Sequence, residues 1–200
     1  MRMNDREFKV MNSKTKKMFQ KHFEFRKFKE FGFDGNDKVI LEIGCGSGYG
    51  AYLINKSYTP KHYTGIDVMP EQINLAKNYA LKNTEFMEMD ATDLSFFESQ
   101  SIDLVVVFGI LHHIPGWRTV INEVNRVLKP NGEFYVLEPF KSFIKVVDVV
   151  LKFNHEDAAL FKKKEFEDNI IENGFIINKK ANYLNLLEVL YCNKNENYAS

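Results

Sequence analysis

Glu42-Ile43-Gly44-Cys45-Gly46-Ser47-Gly48-Tyr49-Gly50 leaves an apolar run, Lys38–Ile43, and enters a helical pattern that continues through Lys56. Alternating glycines directly after an apolar strand are more than a bare strand-to-helix turn requires. A side chain there would block the approach of a ligand to the backbone, and a tight turn needs dihedral angles that other residues resist. In open sheets built from strand–helix units, ligands sit beyond the carboxyl ends of the strands, where the strand order reverses. The stretch therefore reads as the ligand turn of a doubly wound sheet.

Outward from it the alternation continues. His62–Asp67 reads as a second strand, and Pro70 opens a helix with Ile73, Ala76 and Ala80 on one face. Thr84–Met89 is a short strand. Ile102–Phe108 is a near-continuous β-branched run suited to a strand buried on both faces. A helix carrying Val120, Val124 and Val127 should stop at Lys129-Pro130-Asn131-Gly132, before a strand at Glu133–Glu138. A helix over Glu165–Asn173, capped by Gly174, precedes strands Phe175–Ala181 and Leu186–Cys192. Those two strands lack an intervening helix, so one of them should run antiparallel. The expected fold is α/β: a doubly wound, Rossmann-like seven-stranded sheet, mostly parallel with one antiparallel strand near the C-terminus.

The turn also discriminates between ligands. A dinucleotide fingerprint would place its third glycine at position 49, which is Tyr49. Glu42 would face a pyrophosphate poorly, but suits a ligand with a nearby cationic group. Asp67, ending the second strand, can accept hydrogen bonds from both hydroxyls of an adenosine ribose, or simply cap the following helix. Asp90, in Glu88-Met89-Asp90-Ala91-Thr92-Asp93-Leu94, is either a base-contacting acid or a solvated turn residue.

Glu42-x-Gly44-x-Gly46-x-Gly48 resembles the first motif of class I S-adenosylmethionine-dependent methyltransferases. The resemblance extends over roughly Val39 to Cys192. It takes in Ser101 through Ile114 at the fourth strand and Glu123 through Glu133 before the fifth, closest to the quinone-biosynthesis-like, small-molecule branch. One departure is Met69-Pro70, where a Ser or Asn helix cap is usual. The resemblance implies S-adenosyl-L-methionine as cofactor, with S-adenosyl-L-homocysteine as product. Glu42, Gly44, Cys45, Gly46, Gly48, Asp67, Val68, Asp90, Ala91 and Phe108 would bind it, and Asp90 would meet the adenine amine. It implies methyl transfer to a small, apolar or aromatic acceptor.

His112 and His113 follow the fourth strand at the ligand edge. Adjacent on a loop, they should point differently, one toward the pocket as a base and the other fixing the loop. Glu138, ending the fifth strand, is a second candidate base. No further ligands cluster there, so a metal is not expected.

Composition narrows the partners. The chain has 27 basic and 27 acidic residues, so no net field favours nucleic acid. The fourth strand lacks the Asn/Asp-Pro-Pro-Tyr sequence of adenine amino methylation in DNA. Cys45 and Cys192 are too few for a disulfide framework, which suits the cytoplasm. There is no signal-peptide pattern and no run near the roughly 20 apolar residues of a membrane span. Peripheral membrane contact remains compatible, as does a monomer or homodimer. The expected organisation is one methyltransferase domain over 1–200. A helical, Phe-rich cap covers 1–35, and a substrate lid is inserted at 140–162, its centre placing Lys145, Asp148 and Lys152 on one stripe. A cofactor-holding regulatory module, a protein-directed methyltransferase and an NAD-dependent oxidoreductase are the competing functions, the last disfavoured by Tyr49.

Overall fold

The computed structural model describes residues 5–151 and 159–197. Seven strands form one sheet in the order β3-β2-β1-β4-β5-β7-β6. They are β1 (Val39–Ile43), β2 (His62–Asp67), β3 (Thr84–Glu88), β4 (Ile102–Phe108), β5 (Leu128–Pro139), β6 (Phe175–Tyr183) and β7 (Leu187–Lys194). Among the described strands only β7 runs antiparallel, between β5 and β6, as the missing crossover helix requires. The order reverses between β1 and β4, which places the carboxyl end of β1 at the switch point.

Alternation along β4 shows why both faces are buried. Val105 and Val107 join one core with Trp117, Val120, Val124 and Val127 of α6 (Trp117–Val127) and Phe166 and Ile170 of α8 (Lys163–Glu172). Leu104 and Val106 join the other, with Ala51 and Ile54 of α4 (Tyr49–Ser57) and Ile73 and Ala76 of α5 (Pro70–Lys77). Burying aliphatic side chains on both sides contributes about 1.5–3 kcal/mol each, so the β-branched run is the stabilising centre of the fold.

The turn expected at Lys129–Gly132 takes another form. α6 passes directly into β5, and Leu128 already pairs with Ile102. The next register pair is Leu104 with Glu133, so four residues of β5 bulge opposite Asp103 alone. Asn131 absorbs the bend at φ 59°, and Lys129 Nζ holds Asp103 Oδ1 at 2.7 Å.

The N-terminal segment is helical as expected, but interrupted. α1 (Asp5–Met11) and α2 (Lys14–Phe19) are followed by a π-helical turn, Gln20–Glu24, and then α3 (Phe25–Phe31). The wider turn shifts the apolar stripe around the helix axis. Phe19 and Phe23 stack toward Tyr183 near the surface, whereas Phe25 and Phe28 pack inward against Phe33, Phe108 and Tyr135. The 140–162 segment begins as α7 (Lys141–Leu151). Its ends are core: Phe140, Ile144 and Phe161 are buried, and Phe161 lies 4.7 Å from the Trp117 ring. Lys152, the last member of the expected stripe, lies outside the described residues.

Candidate cofactor and methyl-transfer site

The carboxyl ends of β1, β2, β3 and β4 enclose a crevice with two halves. The larger, about 260 Å³, is lined by Asp67, Val68, Met89, Asp90, Ala91 and Thr92 from the ends of β2 and β3, and by Ile110 and Ile114–Gly116 opposite. The smaller, about 70 Å³, lies between the glycine turn and the N-terminal cap, whose Met11, Asn12, Lys16, Lys17 and Gln20 form its outer wall. Gly44, Asp67, Ile110 and His113 border both halves.

Each glycine of the turn has its own task. Gly46 has φ 52°, and a Cβ there would meet nothing within 4 Å. It would project into the crevice. Gly48, expected to bind cofactor, lines neither half. Its φ is 79°, and a Cβ would lie 2.8 Å from that of Ala76, so this glycine lets α4 pack on α5. The other nine expected cofactor positions line the crevice: Glu42, Gly44, Cys45, Gly46, Asp67, Val68, Asp90, Ala91 and Phe108.

Asp67 organises the turn before any ligand arrives. Oδ2 accepts from the Gly46 N–H at 2.9 Å and Oδ1 from the Met69 N–H at 2.9 Å. The second contact fixes the N–H of Met69, the residue before α5, whose own side chain makes no cap hydrogen bond. Each oxygen retains a lone pair for a hydroxyl. Asp90 has one oxygen engaged by the Thr92 N–H and hydroxyl, both at 2.8 Å. Glu42 is buried, and Tyr63 donates to its Oε2 at 2.6 Å. Burial pushes the Glu42 pKa up to about 8. Burial likewise raises the Cys45 thiol, so Cys45 lines the wall as a neutral group.

Two residues of the smaller half escaped the sequence reading. Gln72 is buried on α5, and its Oε1 has no hydrogen-bond partner. Lys17 reaches from the cap to Tyr79, 3.1 Å from its hydroxyl, with its ammonium 5.4 Å from the Tyr49 ring centroid. Neither lies in a strand-end motif. For Gln72 the legible signal was its place two residues into the helix after Asp67.

The histidines share a 3₁₀ turn, Leu111–His113. They do not diverge as expected: their rings lie 4.1 Å apart at 43°. They are still held differently. His112 Nδ1 lies 2.9 Å from Glu138 Oε2, and His113 Nε2 lies 3.6 Å from Glu7 Oε1. Glu138 is fully buried and accepts at Oε1 from the Ile110 and Leu111 N–H groups, each at 2.8 Å. Burial raises its pKa to about 8, against the lowering effect of those bonds. Such a carboxylate has no access to a substrate proton. Glu138 thus holds the loop of His112 through these bonds.

With this geometry, comparisons with known proteins place the chain. Residues 41–136 match the family described as a methyltransferase domain. That stretch, a little under half of the chain, is similar to class I S-adenosylmethionine-dependent methyltransferases. An S-adenosylmethionine-dependent methyltransferase from Methanosarcina mazei is 27% identical, with a TM-score of 0.66, covering 84% of this chain and 97% of that one. A chain from the complex of the Haloferax volcanii Trm112 methyltransferase activator with a methyltransferase has a TM-score of 0.79 at 16% identity, over 98% and 99% of the two chains. A fatty-acid O-methyltransferase of Mycolicibacterium smegmatis is 35% identical over 102 residues, which are 50% of this chain and 37% of that protein. The match with this curated relative thus spans little more than a third of its length. All the superfamily's strand-end positions considered above, from Glu42 to Asp90, fall inside the matched region.

Proposed function

We propose that this protein transfers a methyl group from S-adenosylmethionine to a small, apolar or aromatic acceptor. The observation that carries this reading is the two-part crevice, whose halves meet at Gly44, Asp67, Ile110 and His113. The residues fit an amino-acid nucleoside. Gly46 leaves open the space a Cβ would take, and Gln72 presents a buried, unpartnered oxygen suited to an ammonium group. Glu42 and Gln72 would hold the amino-acid end, Asp67 the ribose, and Asp90 and Ala91 the adenine. Bound there, S-adenosylmethionine would supply an activated methyl group on a sulfonium, with a neutral thioether as the leaving group.

The protein's part is positioning, exclusion of water and proton removal. His113, at the junction of the halves, is placed to take a proton from a hydroxyl, phenol or ammonium acceptor. His112, tied to Glu138, holds the loop. Residues of the cap roof the smaller half. An apolar acceptor agrees with the fatty-acid O-methylation named for the Mycolicibacterium smegmatis relative, and with exposed Val146 on α7 and Met18 and Phe19 on α2. Among the described residues no helix is long and apolar enough to cross a membrane.

Titration calorimetry with S-adenosylhomocysteine and NAD, followed by radiolabelled methyl transfer into fractionated cell extract, tests the reading. Binding of S-adenosylhomocysteine in preference to NAD, with label entering a small-molecule fraction, is the expected result. Binding without transfer would leave a cofactor-holding module, and label in protein would redirect the acceptor.

A further inference from the structure

One buried acid lies outside the chemistry above. Glu7 belongs to α1, where Asp5, Arg6 and Lys9 all face water, yet its own side chain is about as buried as a core residue, 3% exposed. A carboxylate leaves water only against a compensating partner. Its Oε1 lies 3.6 Å from Nε2 of His113, the histidine that borders both halves of the crevice. The contact joins the first helix of the cap to the turn after β4.

We propose that Glu7 is the positioning carboxylate of His113, delivered by the N-terminal cap. The proposal rests on the methyl-transfer reading of the crevice. A carboxylate at ion-pair distance from one ring nitrogen favours the imidazolium over the neutral ring. A proton leaving the acceptor passes to the imidazole, and the resulting positive charge faces Glu7. This resembles in logic the buried acid that orients a catalytic histidine in hydrolases. Here the acid comes from a segment outside the sheet, so a competent base exists only while the cap is docked. Proton removal is thereby coupled to closure of the smaller half, because the same cap supplies Lys16, Lys17 and Gln20 to its wall.

Other charged groups line the same half of the crevice as His113. Lys16 and Lys17 approach from α2, Glu42 and Asp67 from β1 and β2, and His112 from the same turn with Glu138 behind it. Lys16 is engaged by Glu24 at 2.6 Å, and Glu138 by backbone N–H groups and His112. Glu7 is a carboxylate within ion-pair distance of the His113 ring, so its removal should be felt at His113 before His112.

The test is imidazole NMR on ¹⁵N-labelled full chain with S-adenosylhomocysteine, His113 being assigned by its absence in His113→Asn. In Glu7→Gln the His113 titration midpoint should move to lower pH, with His112 moving less, and Glu7→Asp should restore part of the shift. An unchanged His113 midpoint in Glu7→Gln overturns the pairing. So does an equal shift of both histidines in Glu7→Asp, which would report general loosening of the cap. Calorimetry on the same samples separates the two ideas: absence of S-adenosylhomocysteine binding to the wild-type chain defeats the methyl-transfer reading, while the histidine midpoints still decide the pair.

Discussion

The two halves of the crevice are built on different plans. The larger half is made from the ends of consecutive parallel strands and the short segments that follow them: Asp67 and Val68 after β2, Asp90 and Ala91 after β3. The smaller half has one wall of the same kind, the glycine turn. Its other wall is the cap, whose Met11, Asn12, Lys16, Lys17 and Gln20 come from outside the sheet. Strands locked by Val105, Val107 and their neighbours hold the first half rigid. The cap is held by side-chain contacts, among them the Lys17–Tyr79 bond and the stacking of Phe28 on Phe108. The larger half should therefore recognise its ligand by preformed geometry, and the smaller by closure.

The largest expected effect lies where both halves share the glycine turn. Gly46→Val places a branched side chain in the crevice and strains a left-handed backbone position, so S-adenosylhomocysteine binding should fall below detection in calorimetry. Circular dichroism should show the fold retained. Gly48→Ala inverts this pattern: its Cβ meets Ala76, so the melting temperature should drop, by an overpacking effect of about 1–3 kcal/mol, with less effect on affinity per folded molecule. If both variants lose binding equally without a difference in stability, the division of labour within the turn is wrong.

Next comes the strand-end acid. Asp67→Ala removes the acceptor proposed for the ribose and also releases the Gly46 and Met69 N–H groups. Affinity should weaken by about 1–3 kcal/mol, measured by calorimetry. Unchanged affinity would detach the larger half from ribose recognition.

A pH experiment probes the buried carboxyls beneath the halves. Burial raises Glu42 and Glu138 from 4.5 to about 8. Between those values the folded chain holds protons that the unfolded chain has released, so stability falls as pH rises and levels off above about 8. Thermal melts should show this decline from pH 5 to pH 8, with a shallower slope in Glu42→Gln. Matching slopes in the two proteins would mean that Glu42 ionises normally.

The smallest effect is expected at the cap. Lys17→Met removes the Tyr79 bond and the cation–π contacts to Tyr49 and Tyr79. These contribute about 0.5–1 kcal/mol at partly exposed sites, so affinity should weaken only a few-fold. A loss as large as that of Asp67→Ala would show that closure, rather than the strand ends, dominates binding.

The sequence by itself determined the sheet, its antiparallel strand and nine of the crevice positions, because each was written within a few residues. Alternating burial marks a strand, glycine marks a close approach, and an acid after an apolar run marks a strand end. Tertiary structure decided what those local signals could not hold. Gly48 belongs to the same motif as Gly46, yet only the approach of Ala76, 28 residues away, makes it a packing glycine. Glu138 had the position of a base, but the N–H groups of a turn 26 to 28 residues earlier claim its oxygens. Gln72 and Glu7 carry no motif, and their meaning comes from α5 and α1 packing at the crevice. A side chain's partners across the fold depend on how helices dock, through contacts spread over the whole core. Residue spacing carries the period of an element, but not the neighbour that packing brings to it.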